Sequence, residues 1–218
     1  DVLRALGNLP SNFHLVVVGN IVPYSYKQDI LDFADKLDIK NRFWIVDPVP
    51  YSELTSFISS ADVGLIIRDP SIKNNFVSLP NRVFDYMFAG VPVVAPFMPD
   101  IHRVITTNNF GISLEERNPA EWERSILHAQ KNRAELQKFA LNAAKKLTWE
   151  NVEEDLLSFI GRPKSVTIIG QKNLLQHNRS IRIAKTLAQN GASVKLALNE
   201  MYINDEVLYD ESFKIVGF

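Results

Sequence analysis

The sequence contains no cysteine. Disulfides and thiolate metal sites are thereby excluded, and a thiol-free chain fits a reducing compartment. It also lacks an excess of charge: 24 Lys and Arg face 25 Asp and Glu, a formal net charge of −1. No global basic field therefore recruits nucleic acid or an anionic membrane. No apolar run approaches the roughly 20 residues of a membrane span. The first residues show no charged-then-apolar leader pattern, and a start at Asp1 reads as a boundary set by processing or expression. Familiar catalytic motifs are missing too. None of the histidines (His14, His102, His128 and His177) has metal-ligand spacing such as H-E-x-x-H. There is no G-x-S-x-G elbow, no Walker A sequence and no G-x-G-x-x-G fingerprint. Zinc hydrolysis, serine-nucleophile chemistry and P-loop nucleotide hydrolysis find no support here.

What is present suits a packed α/β protein. The 218 residues are 46% apolar, enough for one large domain or two smaller ones. Short runs rich in branched apolar residues recur: His14–Gly19, Arg42–Val46, Asp62–Ile67, Val91–Ala95 and Gly111–Leu114. They are apolar without alternation, which suits strands covered on both faces. Helical patterns lie between them. Tyr26–Leu37 places Ile30, Phe33, Ala34 and Leu37 on one face, and Tyr51–Ala61 does the same with Leu54, Phe57 and Ile58. Asn81–Ala89, Asp100–Thr107 and Pro119–Lys131 continue the series, and Arg133–Leu147 and Trp149–Ile160 follow with no strand between. Strand and helix alternating at this spacing predict right-handed crossovers and a Rossmann-like parallel sheet flanked by helices. Trp149 and Phe159 are expected to pack the last of these helices onto the sheet.

The stretch "GRPKS", Gly161–Ser165, reads as a boundary, since glycine ends a helix and proline prevents its continuation. After it the pattern restarts with strands at Ser165–Gly170, Ser193–Leu198 and Phe213–Phe218, and an amphipathic helix at Asn178–Gly191. Residues 1–161 are therefore expected to form one domain. Residues 162–218 read as the opening of a second, partial Rossmann-like α/β segment.

The most informative stretch is "SLPNRVFDYMFAGVPVVAPF", Ser78–Phe97. It reads as loop, short helix, tight turn and buried strand. Pro80 favours a helix start, and Ser78 or Asn81 is placed to cap the first amides. Exposed N–H groups and partial positive charge make such a start a seat for phosphate. Arg82 in the first turn offers a bidentate phosphate contact. Asp85, one turn later on the same face, offers a carboxylate for a ribose diol. By spacing alone, such a pair is as readily a surface ion pair worth a few tenths of a kcal/mol. In open α/β sheets, though, ligands bind outside the carboxyl ends of strands, where this loop lies.

The run "SLPNRVFDYMFAGVPVVA" resembles the donor-site signature of retaining glycosyltransferases of the GT-B fold, group 1 (GT4) type, which in some branches reads roughly S-x-P-x-K-x-x-E-Y-M-A-x-G-x-P-V-V-A. Other blocks agree in order: "FHLVVVGN", "RFWIVDPVPYSELTSFISSADVGLI" and "NNFGISLEERNPAEWERSI". The similarity spans about Leu3 to Ile160 and implies the C-terminal, donor-binding half of such an enzyme. It implies a nucleoside-diphosphate sugar as donor substrate, with the diphosphate near Ser78, Leu79, Pro80, Asn81 and Arg82, and the ribose at Asp85. It implies the base near Val49, Pro50 and Leu54, with Gly19 and Asn20 close to the donor. Arg82 and Asp85 are the residues it implies for catalysis. No metal or other cofactor is expected, because amides and basic groups can neutralise a diphosphate.

Three departures stand out. Asp85 is one methylene shorter than the family's glutamate, Arg82 replaces a lysine, and Val77 stands where an earlier acid is usual. Family members also begin this half with a further strand and a basic pair, which would precede Asp1, as would the acceptor half. The segment after Arg162 resembles the start of another GT-B N-terminal domain, which implies tandem units.

The resulting expectation is glycosyl transfer of the hexosyltransferase type, with retention, to a glycan or lipid-linked acceptor in polysaccharide biosynthesis. The chain by itself is expected to be inactive. Competing readings are a degenerate donor-binding or scaffolding module and a GT-B sugar-nucleotide epimerase. The expected location is cytoplasmic, with peripheral contact at the inner membrane face. Lys131, Arg133, Lys138, Lys145 and Lys146 give the late helices a basic bias for such contact. No nucleic acid partner is expected.

Overall fold

The apolar runs pair as parallel strands, and the amphipathic runs cross over between them. The computed structural model describes residues 1–161, 163–170, 178–198 and 214–217. His177 and the rest of Gln171–His177, with Arg162, Phe213 and Phe218, lie outside the described residues. The chain divides into two units, Asp1–Lys146 and Leu147–Phe218.

In chain order the first unit holds α1 (Val2–Asn8), β1 (Leu15–Val18), α2 (Tyr24–Lys36), β2 (Phe43–Val46), α3 (Tyr51–Ser59) and β3 (Gly64–Leu65). It continues with α4 (Lys73–Phe76), α5 (Asn81–Phe88), β4 (Val93–Pro96), α6 (Pro99–Thr107), β5 (Gly111–Leu114), α7 (Pro119–Lys131) and α8 (Arg133–Lys146). β1 and β2 pair in parallel, Leu15 opposite Phe43. β3, β4 and β5 form a separate parallel sheet, with Gly64 opposite Val93 and Val93 opposite Gly111. This is the predicted α/β arrangement of parallel strands flanked by helices.

The core gathers where α1 and α7 meet the strands. Val2, Ala5, Leu6 and Leu9 pack with Trp122, Ile126 and Ala129, together with Phe43, Val94 and Leu114. Only β4 is buried along its whole length among the strands of this unit. The expectation that each strand is covered on both faces needs correction at β1 and β2. Their cross-strand partners Val16 and Trp44 are 47% and 52% exposed, so one face of that pair is open.

In the second unit, β6 (Ser165–Gly170), β7 (Ser193–Leu198) and β8 (Lys214–Gly217) form a parallel sheet in that order, with α10 (Asn178–Gln189) as crossover. α9 (Trp149–Ile160) belongs with it, so this unit starts ahead of the boundary read at Gly161. Leu157 packs with Ala184, Leu187, Val194 and Leu196. Trp149 Nε1 donates to Thr186 Oγ1 at 2.8 Å, and that hydroxyl donates to Glu153 Oε2 at 2.9 Å. Phe159, expected as a packing residue, is instead 89% exposed. It follows Leu157 by two positions, which turns it to the opposite side of the helix. Among the described residues no helix is long and apolar enough to cross a membrane.

One close approach positions the rest of the first unit. Gly64 lies under the Tyr86 ring, and a Cβ there would come within 2.4 Å of Tyr86 Cδ1. Gly64→Ala must therefore push α5 away from β3. The expected loss is about 1–3 kcal/mol of stability, read as a lower midpoint in urea unfolding. An unchanged midpoint would mean that Tyr86 rotates aside at no cost.

Candidate functional site

The carboxyl ends of β1, β2 and β3 open toward one region, and the loops there carry most of the chemistry-bearing side chains. Gly19, at φ +121°, follows β1. Val49 follows β2, and Pro50 occupies the cap position of α3, which carries Leu54. α5 starts at Asn81 after the loop that leaves β3, so its N-terminus lies at this same edge.

α5 is held by its own pattern. Val83 and Met87, one turn apart, are fully buried, while Arg82 is exposed and Asp85 half-buried. Its end is fixed by Gly90 at φ +69°, followed by the Val91 N–H bonding back to Tyr86 O at 2.9 Å. The start differs from expectation. Pro80 is the cap residue and no side chain caps the helix. Ser78 is unavailable for capping because its hydroxyl accepts from Arg68 Nη1 at 2.7 Å and donates to Asn75 O at 3.3 Å. Neither Pro80 nor Ser78 therefore supplies a side-chain cap to the first amides of α5.

The approach loop is tied internally. Asp69 Oδ1 accepts from Ser71 N at 3.0 Å, from Ser71 Oγ at 2.7 Å and from Arg117 Nη1 at 2.7 Å. The bonds from Ser71, then that from Arg117, hold the Asp69 carboxyl below the usual range. Asn75 Nδ2 donates to Asp69 O at 3.0 Å, and Lys73–Phe76 form the helical turn α4.

One cavity of about 680 Å³ brings together Gly19, Val49, Leu54, Arg82 and Asp85. Asn20 lines a smaller neighbouring cavity that also touches Gly19. Pro50, Ser78, Leu79, Pro80 and Asn81 do not line the larger cavity, though the last four lead directly into Arg82. Tyr86, the tyrosine of the signature to which no role was given, joins the lining, and its hydroxyl donates to Leu65 O at 3.3 Å. Burial pushes that hydroxyl's pKa up. His14 lines the cavity, while His102 does not and meets Phe97 in a tilted ring contact, centroids 5.0 Å apart. Among the described residues no cluster of His, Asp and Glu is placed to hold a metal ion.

Arg82 and Asp85 form no ion pair among the described residues, although each lies in the other's field. Burial raises the Asp85 pKa above the ordinary value, and the Arg82 charge works against that rise. A cavity that unites a half-buried carboxylate with a guanidinium one turn away can take an anion and hydroxyl groups together.

Residues 1–132 match the family "Glycosyl transferases group 1", and the chain belongs to that family. Among solved structures it is similar to WaaG, described as a glycosyltransferase involved in lipopolysaccharide biosynthesis, with 18% identity and a TM-score of 0.54 over 73% of this chain. It is also similar to a sucrose-phosphate synthase from Thermosynechococcus elongatus, with 14% identity and a TM-score of 0.60 over 72% of this chain. At these identities the likeness concerns the fold, which is that of a GT-B domain. The chain spans only 42% and 40% of those two proteins. No protein of curated function matches it.

The raised Asp85 pKa has a testable sign. Folded Asp85 holds its proton to higher pH than unfolded Asp85, so its contribution to stability falls as pH rises through that window. Asp85→Asn cannot ionise. Its unfolding temperature relative to the parent chain is expected to rise between about pH 3 and pH 7. A relative rise on acidification instead would show the carboxylate to be stabilised in the fold.

Proposed function

From membership of that family we propose that this chain is the donor-binding part of a glycosyltransferase that uses a nucleoside-diphosphate sugar. One observation carries the reading: Arg82 and Asp85 share a cavity with Gly19, Val49 and Leu54 at the carboxyl ends of the strands. In this proposal the diphosphate sits near Ser78, Leu79, Pro80, Asn81 and Arg82, at the start of α5, and Arg82 neutralises it. Asp85 accepts from the ribose diol, and the base lies near Val49, Pro50 and Leu54. Gly19 and Asn20 let the donor approach the backbone closely.

The chemical task of such a site is to stabilise the departing nucleoside diphosphate as the glycosidic bond to it breaks. Preorganised amides and a guanidinium do this without reorganisation at the moment of reaction. Arg82 and Asp85 are the catalytic residues of this reading. The sugar passes to a glycan or lipid-linked acceptor with retention of configuration, as hexosyl transfer. The acceptor half would be supplied by chain outside these residues, and Asp1–Phe218 alone turns nothing over. Residues 162–218 are read as the opening of a second GT-B N-terminal-like domain. Peripheral contact with a membrane through the basic late helices belongs to the same proposal.

A second reading rests on Val77, which is exposed and stands where the resemblance places an acid. It makes the domain a non-catalytic donor-binding module. Turnover by the full-length polypeptide separates the two, since a scaffold binds donor without consuming it.

Calorimetric titration with UDP, GDP, ADP and TDP, beside Arg82→Ala, tests the site. One diphosphate is expected to bind selectively, and losing the charge-assisted contact is expected to weaken it about tenfold. Asp85→Glu, which lengthens the reach by about 1.5 Å, is expected to bind more tightly. Equal binding by the parent chain and Arg82→Ala would remove Arg82 from the site.

A further inference from the structure

Most arginines of the first unit have a partner that accounts for them. Arg103, Arg117, Arg124 and Arg133 form ion pairs with carboxylates. Arg42 donates to two carbonyls, and Arg4 lies over the Phe33 ring. Among the described residues of this unit, Arg68 and Arg82 are the two arginines with neither a carboxylate, a carbonyl nor a ring as partner. They stand on one segment. Arg82 is in the first turn of α5, and Arg68 is on the loop leading to it, directly after the cavity-lining Ile67.

Arg68 differs from an ordinary surface cation in two ways. It is half-buried, so its charge has lost part of its water and no counter-charge makes up the loss. It is also held in place. Its Nη1 donates to Ser78 Oγ at 2.7 Å, closing a loop of ten residues. Ser78 Oγ in turn donates to Asn75 O at 3.3 Å, and Asn75 Nδ2 donates to Asp69 O at 3.0 Å. Arg117 Nη1, from the loop after β5, donates to the Asp69 carboxylate at 2.7 Å. A continuous chain of bonds thus fixes this guanidinium from outside its own loop. The guanidinium has five N–H donors in a rigid fork, and Ser78 takes one of them. A cation that is partly desolvated, preorganised and left with spare donors is built to meet an anion.

We propose that Arg68 is a second anion-binding residue beside the start of α5, and that Arg68 and Arg82 together hold a diphosphate, each taking one phosphate. Ser78, which carries the Arg68 bond, lies four residues ahead of Arg82. Four residues span at most about 14 Å of chain, a gap that two long side chains reaching for one ligand can close. A single phosphate would engage one fork fully and leave the other charge unmatched, so the pair favours two linked phosphates over one. Ser78 becomes a positioning residue in this arrangement. Its one hydroxyl proton goes to Asn75 O and its oxygen holds Arg68, so Arg68 makes the contact that the serine cannot. The inference rests on the donor-binding reading for the identity of the anion, and on the two unmatched guanidinium groups for its presence.

The test is calorimetric titration of the full-length polypeptide with inorganic pyrophosphate and with orthophosphate. The parent is compared with Arg68→Ala, Arg68→Lys, Ser78→Ala and Arg117→Ala. The parent is expected to prefer pyrophosphate. Arg68→Ala is expected to bind pyrophosphate at least about tenfold more weakly and to lose most of that preference. Arg68→Lys keeps the charge without the fork and is expected to fall between the two. Ser78→Ala and Arg117→Ala loosen the loop but keep the Arg68 charge, so their losses are expected to be smaller. A parent that does not bind pyrophosphate overturns the proposal, as does an Arg68→Ala variant that binds it like the parent. Equal losses in Arg68→Ala, Ser78→Ala and Arg117→Ala overturn it as well, because loop order would then be the whole effect. UDP, GDP, ADP and TDP titrated against the same variants read the donor site separately. If pyrophosphate binds through Arg68 and no nucleotide binds more tightly than pyrophosphate, the donor reading fails while the anion site stands.

Discussion

The contact on which the site depends is the Tyr86 ring lying over the bare backbone of Gly64. It sets how closely α5 approaches β3, and α5 carries Arg82 and Asp85. Tyr86 is also tied by its hydroxyl to Leu65 O, so both ring and oxygen are fixed to the same two-residue strand. Val83 and Met87 bury the other side of the helix, and Gly90 turns it into β4. The position of Arg82 and Asp85 thus follows from a glycine in a strand, a glycine in a turn and apolar residues between. None of these reacts with anything. The polar residues inherit their geometry from packing.

Much of this was legible in the sequence, for reasons that can be named. The α/β alternation and the parallel pairing follow from short branched-apolar runs separated by amphipathic ones. α7 and α9 appear with the bounds that Asn118–Pro119 and the Thr148–Trp149 step suggest. α1 was not legible, since Val2–Asn8 is short and contains Gly7 and Asn8, both poor helix formers. Its burial against α7 makes it a helix, and that contact spans most of the unit. The capping of α5 was misread for a similar reason. Ser78 has the right chemistry and local position, but Arg68, ten residues earlier, claims its hydroxyl. Local rules rank what a side chain prefers, whereas tertiary partners decide what it receives.

Asp85 shows the same competition in electrostatic form. Burial disfavours its charge while Arg82 favours it, and burial wins. A carboxylate in that position is underused in the empty fold: it has lost water without gaining an ion pair. Two hydroxyl donors from a ligand would restore what burial removed, so the cost of holding Asp85 ready is also a source of affinity.

The cavity itself then divides by chemistry. Along β1 and β3 its wall is apolar, with Leu15, Val17, Val63 and Leu65 among the lining residues. At the carboxyl ends it changes to Arg82, Asp85 and the backbone at Gly19. A mouth that sets a guanidinium and a carboxylate beside an apolar wall discriminates better than a wholly apolar trough, because fewer ligand poses satisfy all its groups.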